Sequence, residues 1–212
     1  MAILKVSPTR IALLTLKKEL KTAQKGHKLL KDKRDGLVKK FMAVIFEAKA
    51  VRESVEARLG SAFDSYTRAS AMTNAASLDT AFLAPNAQID LDVKIKNIMS
   101  VKIPEFQITK SGSAFSYGML ETTGDLDNAM VKFDEVFVDI LKLAELEKTA
   151  ENLAEEIEKT RRRVSALENV RIPNFEDTIK FITMQLDERN RDAVVSTMRV
   201  KAMIIAKEEE TV

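Results

Sequence analysis

From Leu13 the seam positions fall at Leu16, Leu20, Ala23, His27, Leu30, Arg34, Leu37, Phe41, Val44, Ala48, Val51 and Val55, alternating steps of three and four. That alternation keeps one stripe of an α-helix facing a partner helix, the heptad seam of a coiled coil. After Val55 a second consecutive step of four leads to Leu59, then Ala62, Tyr66 and Ala69. A repeated four is a stutter, which locally unwinds a left-handed supercoil. The spacing predicts one helix running to about Asn74, with Thr9 or Ser7 as N-cap and Pro8 in the first turn.

A second pattern runs Leu126, Ala129, Phe133, Val136, Ile140, Leu143, Leu146, Ala150, Leu153 and Ile157 to Val164 and Leu167, and resumes after Pro173 as Phe175, Ile179, Ile182 and Leu186, then loosely to Ile205. Pro173 lacks an N–H and crowds the preceding turn, so a kink or short break is expected there. Helices of roughly 65 to 80 residues reach about 100 to 120 Å at 1.5 Å per residue. They need each other, as an antiparallel hairpin, or partner chains. The expected fold class is mostly α: a long antiparallel two-helix coiled coil with a small β-hairpin between the helices. The expected organisation is residues 1–75 as the first helix, 76–124 as a middle region and 125–212 as the second helix.

The middle region carries Pro85, Pro104, Gly112, Gly118 and Gly124. Ile89, Leu91, Val93 and Ile95 alternate with Asp90, Asp92 and Lys94, a period of two that predicts a half-buried strand. The run from Ile98 through Val101 to Ile103 is its expected partner, with Lys96 and Asn97 near the turn and Pro104 ending the strand. This places a β-hairpin at about residues 89–103. Two strands alone are marginal in water, so the hairpin must lean on the coiled coil or on a partner.

Residue types limit the chemistry. The chain has no Cys, no Trp and a single His, which removes disulfides, thiol nucleophiles and thiolate metal sites. His27 has Ala23, Gln24, Leu30 and Lys31 as helical neighbours and no second ligand; at a seam position it and Arg34 suit the setting of register. Gly112 and Gly118 lack the spacing of a phosphate loop. The carboxylates Asp90 and Asp92, or Glu155 and Glu156, read as solvated faces and not as acid and base. No catalytic, cofactor-binding or metal-binding residue is expected. No apolar run is long enough to span a bilayer and residues 1–10 lack a secretory h-region, so a soluble chain in contact with the cytosol is expected.

Net charge is only +2, but it is banded. Lys and Arg outnumber acids strongly up to Lys40, Lys5 among them, and Glu dominates from Glu145 to Glu158. A basic band on a helix suits nucleic acid, an acidic protein surface or plain solvation. Nucleic-acid binding is disfavoured by the lack of stacking aromatics in residues 1–40 and by an intact seam beside the lysines. Membrane-surface binding would need the apolar face that the seam already uses. A basic coiled-coil nucleic-acid-binding or tethering protein remains the alternative.

Residues 8–41, PTRIALLTLKKELKTAQKGHKLLKDKRDGLVKKF, resemble the N-terminal signature of the D-subunit family of V-type (vacuolar/archaeal-type) ATPases. Residues 161–173, RRRVSALENVRIP, resemble its C-terminal signature through Arg162, Arg163, Val164, Ala166, Leu167, Glu168 and Pro173. The resemblance implies a non-catalytic rotor axle of the central stalk, coupling ATP hydrolysis to translocation of H+ or Na+. Its implied partners are a hexamer of catalytic A and non-catalytic B subunits, the small F subunit of the central stalk and a funnel-shaped subunit capping the membrane ring. It implies no cofactor, no nucleic acid and no direct membrane insertion, at the cytoplasmic side of a membrane. Arg10, Lys17, Lys21, Lys28, Lys31, Arg161, Arg162, Arg163, Arg199 and Lys201 are then expected to bear on the hexamer, and Ile89, Asp90, Asp92, Lys94, Ile98 and Val101 to form a partner or regulatory hairpin. The sequence departs from the family at Asn190 to Ala193 and in the acidic Glu208 to Glu210.

Overall fold

A computed structural model describes residues 4, 6–83, 87–113, 115, 117–118 and 122–209, with backbone only for 206–209. Lys5, Pro85 and Glu210 lie outside the described residues. In chain order the elements are α1 (Arg10–Met72), α2 (Ala75–Phe82), β1 (Gln88–Ile98), β2 (Val101–Ser111), α3 (Gly124–Ala166), a π-turn (Leu167–Arg171) and α4 (Ile172–Glu209). The fold class is that of long helices with a two-stranded antiparallel sheet between them. Contacts divide the chain into two units, one of residues 1–34 with 159–212 and one of residues 35–158.

The cap and the seam of α1 follow from local chemistry. Thr9 Oγ1 accepts the Ala12 N–H at 3.1 Å, satisfying one of the orphan donors of the first turn. Pro8 therefore precedes the cap instead of occupying the first turn. Every seam position from Leu13 to Ala69 is buried or half-buried, with Leu16, Leu37, Val55, Ala62 and Ala69 deepest. The helix ends at Met72, short of Asn74, because Asn74 takes extended angles and its side chain accepts the Ala76 N–H at 3.4 Å. That cap starts α2, which periodicity alone did not indicate.

In the unit of residues 1–34 and 159–212, α1 and α4 run antiparallel. Leu13, Leu16, Leu20 and Ala23 pack against Phe175, Ile179, Ile182 and Leu186. The Arg189 guanidinium donates to the Pro8 carbonyl at 3.0 Å, and the Leu4 N–H donates to Thr178 Oγ1 at 3.1 Å. The seam stops at Leu186: every side chain described from Asp187 to Ile205 is exposed, so the looser continuation is not packed within this chain. At Pro173 the helix neither breaks nor ends. Pro173 has no N–H for the Asn169 carbonyl; a widened turn, closed by the Ile172 N–H to the Leu167 carbonyl, absorbs the mismatch, with αR geometry at both Ala166 and Ile172.

In the unit of residues 35–158, α1 pairs antiparallel with α3. Arg52 meets Glu147, Arg58 meets Asp139 at 2.8 Å, and Lys132 donates to Ser65 at 2.8 Å, so the α3 number falls as the α1 number rises. Phe63 and Phe133 meet edge to face, centroids 5.3 Å apart. Ala69, Leu78 and Leu126 form a small core at the α2 end, flanked by Tyr66 and Tyr117. Ile140 is the outlier of the second pattern, 37% exposed.

The hairpin is longer than its sequence pattern. Its strands pair in register from Gln88↔Ser111 to Ile98↔Val101, so Lys96 and Asn97 are strand residues and the turn is Met99-Ser100. Both turn residues have positive φ, 52° and 70°, as a two-residue type I′ turn requires. Gly36 makes room for that turn, since a Cβ there would lie 2.9 Å from Met99 Cε. Pro104 does not end β2; it pairs with Ile95. The closing pair Ile98↔Val101 exchanges both hydrogen bonds, and pairs alternate from there, so position 104 points its missing N–H away from β1. Its outward neighbours are satisfied by α3: Asn152 donates to the Lys102 carbonyl at 3.0 Å and the Phe106 N–H donates to Glu145 at 3.1 Å. Lys110 closes the set on Asp134 at 2.7 Å. From Lys102 to Lys110 the strand advances about 27 Å, as does α3 from Asn152 back to Asp134, also about 27 Å. At the turn end Val101 and Ile103 are buried against Leu37 and Leu153, so the hairpin does lean on the helices.

Candidate functional site

Two surfaces carry the residues singled out by sequence, one in each unit. On α1, at 100° per residue, Arg10, Lys17, Lys21 and Lys28 fall within about 40° of one another and Lys31 lies about 60° away. They make a single stripe beside the seam, and all five are exposed. Among the described residues none of the five forms an ion pair. Arg161, Arg162 and Arg163 are exposed on α3 but, being consecutive, spread around the helix; Arg162 has an interaction within the chain. Arg199 and Lys201 are exposed on the unpacked end of α4, beside Val195, Met198 and Val200.

His27 and Arg34 occupy the seam as half-buried side chains. His27 Nε2 lies 3.5 Å from Glu168 Oε2 on the π-turn and has no hydrogen-bond partner among the described residues. In the sequence Glu168 stands out only as part of a signature; its place opposite His27 follows from the antiparallel register, which spacing along one helix does not reveal. Facing Gly26, the π-turn leaves an open groove of about 550 Å³ whose lining includes Lys18, Arg171 and Phe175. Three positions of α3 and α4 were also missed because they are polar by type: Thr149, Thr160 and Thr178 are buried, Thr178 Oγ1 donating to the Asn174 carbonyl at 2.6 Å and Thr160 Oγ1 having no hydrogen-bond partner among the described residues. A threonine returned to its own helix backbone presents a methyl group to the seam.

The hairpin is the second surface. Asp90, Asp92 and Lys94 are exposed, while Ile98 is half-buried and Val101 buried, packed on the helices. The expected half-buried face is instead open: Ile89, Leu91, Val93 and Ile95 are 40%, 43%, 48% and 70% exposed. The reason is the alternation of side chains along the strands. Opposite faces of the sheet carry the core near the turn (Ile98, Val101, Ile103) and the apolar row of β1, and only the first joins Leu37 and Leu153.

Two groups outside these surfaces have shifted ionisation. Burial, then the hydrogen bond to Asp127 at 2.7 Å, pushes the Tyr117 hydroxyl up from its ordinary value, and the bond to Glu151 raises Lys148. Among the described residues no group of three His, Asp or Glu side chains is placed to hold a metal ion, and no helix is long and apolar enough to cross a membrane.

Relatives of the chain agree with one another on its class. Residues 12–202 match the family model described as the ATP synthase D subunit. A V-type ATP synthase D subunit of Fusobacterium nucleatum is 47% identical over 207 residues, covering 96% of this chain and 98% of that protein. Proteins of the same description from Thermoanaerobacter sp. and Clostridioides difficile are each 45% identical, covering 97% and 98% of this chain and 99% and 95% of their own. With the second signature block and all but the first four residues of the first inside the matched region, and the relatives aligned along nearly their whole length, the chain belongs to the D-subunit family of ATP synthases.

Proposed function

We propose that this chain is the rotor shaft in the central stalk of a rotary V-type ATPase, turning within a hexamer of alternating catalytic A and non-catalytic B subunits and coupling ATP hydrolysis to translocation of H+ or Na+. The carrying observation is full-length identity to relatives named as V-type ATP synthase D subunits. The chain itself performs no catalysis; it works at the cytoplasmic side of the membrane, with the small F subunit and the funnel-shaped subunit as its further partners.

The unpaired stripe on α1 supports the bearing role. A shaft must pass several subunits in turn without being trapped at one angle. Deep aromatic anchors would make such traps, whereas hydrated charge contacts are individually worth about 0 to 1 kcal/mol and exchange readily. Each angular position then needs only a different affinity for the states of a catalytic site to bias its chemistry. Arg10, Lys17, Lys21 and Lys28 bear on acidic groups of the bore, Arg199 and Lys201 act near the end of α4, and the hairpin takes a partner or tunes the ATPase rate.

Co-elution with an A/B hexamer, followed by the ATPase rate, tests this. Stoichiometric entry with a changed rate is expected, and replacing Arg10, Lys17, Lys21 and Lys28 together by Glu weakens entry at least about tenfold. A chain that fails to enter, and binds DNA or RNA in a salt-sensitive way, overturns the reading.

A further inference from the structure

The outer edge of β1 is open. With Ile98↔Val101 as a hydrogen-bonded closing pair, the alternation along the ladder turns the N–H and C=O of Ile89, Leu91, Val93, Ile95 and Asn97 away from β2. The same alternation accounts for the outward Lys102 carbonyl and Phe106 N–H that α3 satisfies on the other edge. Among the described residues no hydrogen bond reaches the outward groups of β1. Its charged side chains are unspent too: Asp90, Asp92, Lys94 and Lys96 make no ion pair among the described residues. An exposed strand edge with alternating apolar side chains is a template for another strand.

The order of those charges says which strand. The segment reads Asp90-Leu91-Asp92-Val93-Lys94-Ile95-Lys96, two acids, a centre and two bases. Laid antiparallel against a copy of itself about Val93, it sets Asp90 opposite Lys96 and Asp92 opposite Lys94, twice each by symmetry. Leu91 then faces Ile95 and Val93 faces Val93, residues whose backbone groups all point outward, so this register also satisfies the hydrogen-bond parity. Shifting the centre by one residue keeps the parity but sets Asp92 against Asp92, or Lys94 against Lys94; shifting it by two sets Asp90 against Asp92, or Lys94 against Lys96. Only the register about Val93 places all four charges opposite their counter-charges.

We propose that the free chain pairs with a second copy of itself through this edge, joining two hairpins into a four-stranded antiparallel sheet with β1 strands at its centre. The pairing goes beyond the shaft reading and stands independently of it. It also extends the exposed row of Ile89, Leu91, Val93 and Ile95 into a continuous apolar face shared by two chains.

Sedimentation of the free full-length chain across a range of concentrations tests the pairing, with helicity checked by circular dichroism. A concentration-dependent dimer is expected. An acidic variant (Lys94→Asp with Lys96→Asp) and a basic one (Asp90→Lys with Asp92→Lys) each self-associate at least about tenfold more weakly, since like charges then face across the strands. Mixed one to one, they pair with each other. Because the chain has no Cys, oxidised Val93→Cys also gives a covalent dimer, whereas Asp79→Cys on α2 does not. A wild-type monomer at every concentration, a dimer indifferent to both charge variants, or acidic and basic variants that do not pair when mixed each overturn the proposal. None of these results bears on entry into the hexamer.

Discussion

Helix α1 uses its charged flank differently in the two units. Within residues 35–158 two of its arginines are spent on α3: Arg52 on Glu147 and Arg58 on Asp139, with Lys132 of α3 returning to Ser65. Within residues 1–34 the stripe of Arg10, Lys17, Lys21, Lys28 and Lys31 has no such partner among the described residues, although the seam beside it is equally regular. The seam decides how the helix folds, and the flank decides what it touches. Where acids face the flank the helix is tied to its neighbour; where they do not, the charge stays exposed to solvent.

The contrast can be broken hardest at the seam. Leu37 is fully buried against Leu153, Val101 and Ile103, so Leu37→Ala costs about 2 to 5 kcal/mol of stability in urea unfolding. Leu14, exposed on the flank, is expected to cost less than about 0.5 kcal/mol when made Ala. Equal losses at the two positions would dissolve the distinction between seam and flank.

A smaller effect sharpens the view of the tied unit. Asn152→Ala and Glu145→Ala each remove the partner of an outward backbone group of β2 and loosen the hairpin by about 1 kcal/mol. Amide exchange rises in β1 and β2 while helical melting is unchanged; melting of α3 together with the hairpin would show that these bonds hold the helix instead.

The smallest effect is one of pH. Tyr117 ionises less readily folded than unfolded, so its contribution is complete below about pH 10 and is lost as pH rises through the higher folded value. Stability measured from pH 9 to 11 should fall more steeply for the wild type than for Tyr117→Phe. Parallel curves would mean that neither the burial of Tyr117 nor its bond to Asp127 is kept in solution.

How much was legible in the sequence follows the same division. Steps of three and four picked out each buried position of α1 from Leu16 to Ala69 except Ser65, because burial along a helix pair depends on spacing and apolarity alone. Thr149, Thr160 and Thr178 escaped because a polarity pattern counts a threonine as polar even where the fold buries it. The hairpin was found by its period of two but cut short at Pro104, since whether a proline ends a strand depends on which way its nitrogen points, a property of the turn. Apolar alternation also promised a buried face on β1, yet period two says only that a face exists, not what covers it. Pro173 announced a disturbance whose form, a widened turn, depends on the hydrogen bonds around it. The stripe of Arg10, Lys17, Lys21, Lys28 and Lys31 was legible as a charge pattern, and its lack of ion pairs among the described residues is a property of the fold.

Rotation itself is the most direct test. The chain has no Cys, so Asp79→Cys on exposed α2 takes a single probe, and the labelled shaft can be seated in a hexamer fixed to a surface. On adding ATP the probe is expected to turn in one direction, in steps set by the hexamer, and more slowly or not at all when Arg10, Lys17, Lys21 and Lys28 are Glu. A hexamer that hydrolyses ATP while the seated probe stays still would contradict it.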